Sequence, residues 1–286
     1  MSSFSCSPGT LYVVSTPLGN LGDLTVRAGT VLKEADRIYA EDTRRARILL
    51  DHLGSSVALR SLHDHNERGR RAEVVEALDQ GLVIAVISDA GTPAVSDPGA
   101  DLVAGVAEAG GTVSPVPGPS ALAAALSVAG FVASNTSVLF LGFLPVKGKA
   151  RKAALGRIQS HPGVVVFYEG PHRLRKTLEE VGGEQPERPA VVARELTKLH
   201  EELVRGSVES LRAWASEDRV RGEITVVLGP MPEPEGALLE APDLDRAIRG
   251  CLEGGLSPRD TSVAVAAVLG VKKRMVYQRL NEIIDP

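Results

Sequence analysis

The sequence predicts an α/β protein of two α/β domains followed by a small helical module, and three observations predict it. Short β-branched runs alternate with segments of helical apolar spacing through residues 10–117. The alternation resumes more loosely over residues 118–230. Beyond a proline-rich acidic stretch only helical spacing remains. The 286 residues, 43% of them hydrophobic and 24% charged, are enough to bury more than one core.

Residues 1–9 show no apolar period and are expected to be disordered. Strands are expected at Leu11–Ser15, Arg37–Ala40, Val57–Leu62, Leu82–Ser88 and Thr112–Val116. Helices fall between them at Leu24–Ala35, Thr43–Leu53, Glu67–Gln80 and Ala100–Ala109. This alternation argues for a parallel sheet with helices on its faces. The near-continuous apolar run Leu82–Ile87 fits a central strand buried on both sides. In the second domain, strands are expected at Val138–Leu141, Val164–Tyr168, Ala190–Ala193, Glu202–Val208 and Glu223–Leu228. Its helices are expected at Ala121–Ala129, Ala150–Ser160, Arg173–Val181 and Ser210–Ser216. The stretch Gly229–Pro242 carries prolines at 230, 232, 234 and 242, so residues 231–242 read as a linker. Residues 243–286 form the helical module, in which Ser257–Leu269, a Gly270-Val271 turn and Lys272–Ile284 resemble a helix-turn-helix.

Composition narrows the function classes. The net charge of −4 gives no bulk attraction for nucleic acid, so only local basic clusters speak for it. Cys6 and Cys251 lack metal-ligand or CxxC spacing and read as two unpaired thiols of a reducing compartment. Met1–Thr10 has neither a basic start nor an apolar core. The apolar stretch Ala121–Gly130 is far shorter than the roughly 20 residues of a membrane span. A cytoplasmic protein away from membranes is therefore expected. His63 and His65 flank Asp64 without further ligands at workable spacing, so no metal is expected.

Ligands of open α/β sheets bind beyond the carboxyl ends of the strands, and three Gly/Pro-rich loops begin there. Thr16–Asp23 holds Gly19 and Gly22, which permit tight turns and close approach of backbone amides. It matches neither GxGxxG nor a Walker A loop, so a dinucleotide or phosphate site is poorly supported. Asp89–Gly99 is too long for a simple connection, and Asp89 reads as functional. Asp97 reads instead as the N-cap of the next helix, with Pro98 at the first helical position. Pro117–Ser120 ends the fifth strand with two prolines as a rigid wall, and Ser120 is placed to cap a helix.

Eight motifs occur in order: TPLGNLGD (16–23), AEDTR (40–44), SDAGTPAVSDPG (88–99), PGPSA (117–121), FLGFLP (140–145), FYEGPHRL (167–174), ARELTK (193–198) and GEITVVLGP (222–230). Together they resemble the tetrapyrrole methylase superfamily. Within it they are most similar to enzymes that methylate the ribose 2′-hydroxyl of a decoding-centre cytidine in 16S ribosomal RNA. The resemblance spans Tyr12 to Pro230 and extends into the helical tail. It implies a parallel-sheet N-terminal domain, a mixed-sheet second domain and a homodimer. S-adenosylmethionine would lie folded in the cleft between the two domains, held largely by backbone groups. Carried over position by position, the cofactor contacts are Pro17, Leu18, Gly19, Asp89, Gly91, Thr92, Pro93, Ser120 and Ala121. From the second domain Tyr168, Ala193, Arg194 and Ile224 are similar to positions that close over the adenine side.

Methyl transfer to a ribose hydroxyl needs alignment of acceptor and methyl carbon, and a base for the hydroxyl proton. The carboxylates within these motifs are Asp23, Glu41, Asp42, Glu169 and Glu195, with Asp23 and Asp42 favoured by their place at first-domain strand ends. Each also suits a salt bridge or a cap, Asp42 especially, with Arg44 and Arg45 beside it.

For RNA, Lys147, Lys149, Arg151, Lys152 and Arg157 form a run with no acid between Leu139 and Phe167. Arg173, Arg175 and Lys176 follow, His172 lies in EGPHR, and Arg44 lies in AEDTR. Lys272, Lys273 and Arg274 start the last helix, where RNA contact and protein packing are both open readings. Arg68, Arg70 and Arg71 form a further group that suits a solvated helix face, given Glu67 and Glu73 nearby. The competing functions are methylation of a precorrin or uroporphyrinogen precursor and RNA binding without catalysis. AEDTR, the basic runs and the helical module argue against the first, and the intact SDAGTP loop against the second.

Overall fold

The computed structural model describes residues 4–63, 66–131, 137–215, 220–231, 241–269, 271 and 273–284. Cα packing divides the chain into two compact units, Met1–Met231 and Pro232–Pro286.

The first sheet of the larger unit contains β1 (Thr10–Val14), β2 (Arg37–Ala40), β3 (Ala58–Ser61), β4 (Ile84–Ile87) and β5 (Thr112–Val116). Their order is β3-β2-β4-β1-β5 and every pairing is parallel. Between them run α1 (Val26–Glu34), α2 (Thr43–Leu53), α3 (Glu67–Asp79) and α4 (Ala100–Glu108). The alternation of β-strand side chains explains why β4 had to be apolar throughout. Ala85 and Ile87 join one core cluster with α1 and α2, while Ile84 and Val86 join another with α3 and α4. The chain leaves β1 toward β2 and leaves β4 toward β5, in opposite directions across the sheet. The neighbouring β1 and β4 thus mark the topological switch point, where a crevice opens beyond the strand ends.

The second sheet contains β6 (Val138–Phe143), β7 (Val164–Glu169), β8 (Pro189–Arg194), β9 (Glu202–Ser207) and β10 (Ile224–Leu228), in the order β6-β7-β10-β8-β9. Only β6 and β7 pair in parallel, so the sheet is mixed. One face packs on α6 (Gly148–Ser160), α7 (Pro171–Gly182) and α8 (Val208–Trp214) through Ile158, Leu174, Leu178 and Leu211. The other packs on α5 (Ala121–Ala129) through Ala125 and Ala129. Arg188 is fully buried and donates to the carbonyls of Ile158, His161, Gly163 and Gly229 and to Gln185 Oε1. Burial lowers its pKa to about 10.

The smaller unit contains α9 (Ala241–Glu253), α10 (Pro258–Leu269) and α11 (Lys273–Ile284), with a core of Leu244, Ile248, Val265, Val276 and Leu280. Ser257 caps α10 by accepting from Asp260 N at 3.2 Å, and its hydroxyl donates to Asp260 Oδ2 at 2.6 Å. Arg279 of α11 holds Asp245 of α9 through two bonds of 2.7 and 2.8 Å. Gly270, Lys272 and residues 232–240 of the expected linker lie outside the described residues, as do Asp64, His65 and Ser216.

The expectation of disorder at the N-terminus is corrected for residues 4–9. Phe4 packs edge-on to Tyr12 at 6.2 Å, Arg27 lies over the Phe4 ring, Cys6 N donates to Glu34 Oε2 and Ser7 N donates to the Tyr12 hydroxyl. A single aromatic with a cation to cover it fixes this segment, and periodicity does not register such a contact. Among the described residues no helix is long and apolar enough to cross a membrane.

Candidate active site

Hydrogen bonds lace the three strand-end loops into one wall. Thr16 and Gly91 exchange backbone bonds of 2.8 and 3.0 Å, an isolated bridge that clamps the first loop to the second. Thr92 Oγ1 lies 2.9 Å from Ser15 Oγ and donates to the Pro119 carbonyl at 3.1 Å, joining the second loop to the first and third. Thr16 Oγ1 donates to the Ser88 carbonyl, and the Ser88 hydroxyl to the Gly91 carbonyl. At Gly91, φ is +89°, a conformation that favours glycine, and a Cβ there would crowd Leu18 at 3.3 Å. Ala94 and Ser96 also adopt left-handed backbone, at φ +66° and +68°, as Glu195 and Thr197 do after β8 at +52° and +68°.

Facing this wall are the ends of β6, β7, β8 and β10, and a cleft of about 420 Å³ lies between. Nine of the thirteen expected cofactor contacts line it: Leu18, Asp89, Gly91, Thr92, Ser120, Ala121, Tyr168, Ala193 and Ile224. Pro17 and Pro93 are buried behind the lining. Gly19 stands outside it, where a Cβ would strike the Lys198 side chain at 2.6 Å. Arg194 also stands outside the lining, its guanidinium turned to Glu202 on β9 with bonds of 3.0 and 2.8 Å. Consecutive strand residues point to opposite faces, so with Ala193 turned to the cleft, Arg194 is directed away. Ser120 occupies the N-cap position of α5 without a side-chain capping bond. Tyr168 packs edge-on to Phe140 and Phe143 at 5.2 and 5.3 Å, and burial raises its pKa, keeping it a phenol donor.

The carboxylates sort by their partners. Asp42 is the N-cap of α2, accepting from Arg44 N at 2.9 Å and held by the Arg44 side chain, which drives its pKa far below the carboxylate range. That makes it a weak base, and it does not line the cleft. Asp23 is exposed at the end of a short 3₁₀ turn, also away from the lining. Glu169 lines the cleft but is fully buried and committed: it accepts from Gly170 N, Arg173 Nε and Thr177 Oγ1 at 2.8, 2.6 and 2.6 Å. Glu195 pairs with Lys198 at 2.8 Å and accepts from Glu223 N, and the lysine lowers its pKa. Glu41 lines the cleft.

The lining also contains residues the sequence did not mark as site residues, namely Arg45, Phe143, Glu223 and Asp97. Arg45 pairs with Asp89 at 3.4 Å, and Asp89 accepts from Asp42 N at 2.9 Å. Asp97 overturns its expected role as a cap. The helix begins at Ala100 with Gly99 at its cap position, and Glu67 of α3 accepts from Gly99 N and Leu102 N at 3.0 and 2.8 Å. Asp97 lines the cleft instead, its pKa raised to about 6 by burial and then by Glu41.

Among the expected RNA contacts, Lys147, Lys149, Lys152 and His172 are exposed near the starts of α6 and α7. Lys273 and Arg274 are exposed at the start of α11, and Lys272 lies outside the described residues. Arg44 is exposed but bound to Asp42. Arg151 is corrected: it is buried and bonds Glu180, the Thr177 hydroxyl and the Pro145 carbonyl. Arg173 is likewise spent on Glu169 and the Leu144 carbonyl. Arg68, Arg70 and Arg71 each pair with an acid, Asp101, Glu73 and Glu108, as a solvated face does.

A sequence profile described as "Tetrapyrrole (Corrin/Porphyrin) Methylases" matches residues 10–212. "Ribosomal RNA small subunit methyltransferase I" of Escherichia coli O157:H7 is 41% identical over 278 residues, 95% of this chain and 94% of that one. The protein of that name from Halalkalibacterium halodurans is 39% identical over 272 residues, 94% and 93% of the two chains. The crystal structure of uroporphyrin-III C-methyltransferase from Thermus thermophilus, complexed with S-adenyl homocysteine, shares the fold at a TM-score of 0.55 and 21% identity. It covers 77% of this chain and 96% of its own.

Proposed function

The chain belongs to the tetrapyrrole (corrin/porphyrin) methylase family, and from that premise we propose that it transfers a methyl group from S-adenosylmethionine to ribosomal RNA of the small subunit. The acceptor atom is a ribose 2′-hydroxyl of a decoding-centre cytidine in 16S ribosomal RNA, as the motif resemblance implies. The observation that carries the reading is the charge of the cleft. Among the described residues, Glu41, Asp89, Asp97, Glu169 and Glu223 line it with one cation, Arg45. Arg173 and Lys198 offset Glu169 and Glu223 from outside the lining, so acid exceeds base at the cleft surface. Such a lining repels a nucleotide phosphate and suits a ligand that carries a sulfonium and an ammonium. Apolar surface for the adenine is at hand in Leu18, Val95, Ala121, Leu196 and Ile224. Bound there, S-adenosylmethionine supplies an activated methyl group; the laced loops hold it and orient it toward the acceptor.

The relatives named for ribosomal RNA extend over 94–95% of this chain, whereas the uroporphyrin enzyme spends nearly its whole length on 77%. That difference, with exposed Lys147, Lys149 and Lys152, favours RNA over a tetrapyrrole acceptor. The protein then works in the cytoplasm, and the family resemblance further implies a homodimer, which sedimentation tests. The deciding experiment is incubation with tritiated S-adenosylmethionine and small subunits from cells lacking the modification. Label is expected on one cytidine ribose of 16S ribosomal RNA; label accepted only by a tetrapyrrole precursor overturns the reading.

A further inference from the structure

We propose that Asp97 is the base that takes the proton from the ribose hydroxyl; this rests on the methyl-transfer reading above. Three observations carry it. The first is release from capping. The Asp97-Pro98 pair stands where a helix cap belongs, yet buried Glu67 reaches over from α3 to bind the amides of Gly99 and Leu102. The loop closes on itself through Ala94 N donating to the Pro98 carbonyl, with Ala94 and Ser96 held left-handed. Backbone strain is spent on turning this short segment, and the carboxylate it carries lines the cleft.

The second is the company it keeps. Glu41 before α2, Asp89 after β4 and Glu223 before β10 act on it from the surrounding elements, and Tyr168 of β7 feels its charge. The nearby Ser88 hydroxyl favours its ionised form less than burial opposes it, and Arg45 of the same lining is taken by Asp89. No salt bridge to Asp97 forms among the described residues. Its proton affinity is thereby brought toward the working pH, the condition under which a carboxylate serves best as a base.

The third is elimination by geometry. Asp42 and Glu169 are bound to Arg44 and to Arg173 with Thr177, Glu195 and Glu223 share Lys198, and Asp89 is held by Arg45 and Asp42 N. Glu41 shares the lining and enters the test as the rival. In the step itself the 2′-O–H bond breaks, its proton passing to Asp97 and its electron pair forming the new O–CH3 bond. The S–CH3 bond breaks with its pair going to sulfur, and Asp97 later returns the proton to water.

The test compares wild type, Asp97→Asn and Glu41→Gln across pH 5–9, in single turnovers on small subunits lacking the modification. Wild-type rate is expected to fall below about pH 6, and Asp97→Asn to be slower by about 10²-fold or more with that limb gone. Glu41→Gln is expected to move the limb to lower pH, because Glu41 opposes ionisation of Asp97. Two readouts stand apart from turnover. Calorimetry should show that Asp97→Asn still binds S-adenosylhomocysteine, with any loss of affinity far smaller than its loss of rate, which also shows that it folds. Carbon-13 NMR of the free protein should show a carboxyl titrating near pH 6 that Asp97→Asn removes. A rate for Asp97→Asn within tenfold of wild type, loss of cofactor affinity in step with rate, or abolition of turnover by Glu41→Gln alone overturns the proposal. A wild type that methylates no small subunit at all instead sinks the functional reading, and this assignment with it.

Discussion

The cleft lining and the start of α6 carry opposite charge only a few residues apart. Phe143 lines the cleft among Glu41, Asp89, Asp97 and Glu223, and Lys147 follows four residues later with Lys149 and Lys152, all exposed. Four residues span at most about 14 Å, so attraction and repulsion for a polyanion meet across a short distance. The contrast suits the proposed division of labour: an acidic interior that would select the cationic methyl donor, and a basic rim that would hold the RNA backbone and leave a single ribose to enter. The same acids that suit the donor would repel a second phosphate from the cleft.

Glu169 joins the two regions, so its removal should break the comparison most severely. It lies at the end of β7, lines the cleft, and fixes Arg173 and Thr177 of α7, with Arg151 of α6 at 4.0 Å. Glu169→Ala leaves buried donors without their acceptor and is expected to cost about 3–5 kcal/mol in urea denaturation. It should weaken donor and RNA binding together. A loss below about 1 kcal/mol would show that the two walls hold without it.

Two substitutions should separate what Glu169 joins. Asp89→Ala removes the acceptor for Asp42 N and the partner of Arg45, and is expected to weaken S-adenosylmethionine binding by about 10–100-fold in calorimetry. RNA affinity should stay unchanged. Lys149→Ala with Lys152→Ala should do the reverse, weakening RNA about tenfold and flattening the salt dependence of log K by about 1.5, two phosphate contacts' worth. Equal loss of both ligands in both proteins would dissolve the division. A salt slope identical to wild type would move the RNA elsewhere on the surface.

Sequence reading served these regions unequally, for physical reasons. The parallel sheet was legible because burial on both faces forces uninterrupted apolar runs such as Ile84–Ile87. Loops that meet a ligand through backbone leave their mark in glycine and proline, and nine of thirteen expected contacts line the cleft. What stayed hidden depends on partners distant in the chain. Arg151 sits in a run of cations and looks like its neighbours, yet Glu180 and Thr177 from another helix draw it inside. Arg188 is held by four backbone carbonyls and one side-chain amide, Gln185, with no acid among its partners to announce it. Asp97 was masked by its own local signal, since Asp-Pro before a helix says cap, and nothing nearby reveals that Glu67 has already done the capping.

That masking leads to the smallest and most selective effect. A carboxyl raised to about 6 binds its proton more tightly folded than unfolded, so the fold is penalised as pH rises from about 4 through 6 and carries the whole penalty above it. Solvent reaches part of the Asp97 side chain and screens its acidic neighbours, which discounts the penalty to about 1 kcal/mol. Asp97→Asn keeps the shape and removes the charge. It should therefore gain on wild type in urea as pH climbs from 4 to 7.5, with the difference between the two proteins growing by about 1 kcal/mol over that range. The trend with pH is the readout, because any packing loss from the substitution is common to all pH values. A difference that stays flat, or that grows in favour of wild type, would mean Asp97 is held as a charge by the fold. The acidic lining would then be a stabilised structure rather than a site kept under electrostatic strain for its ligand.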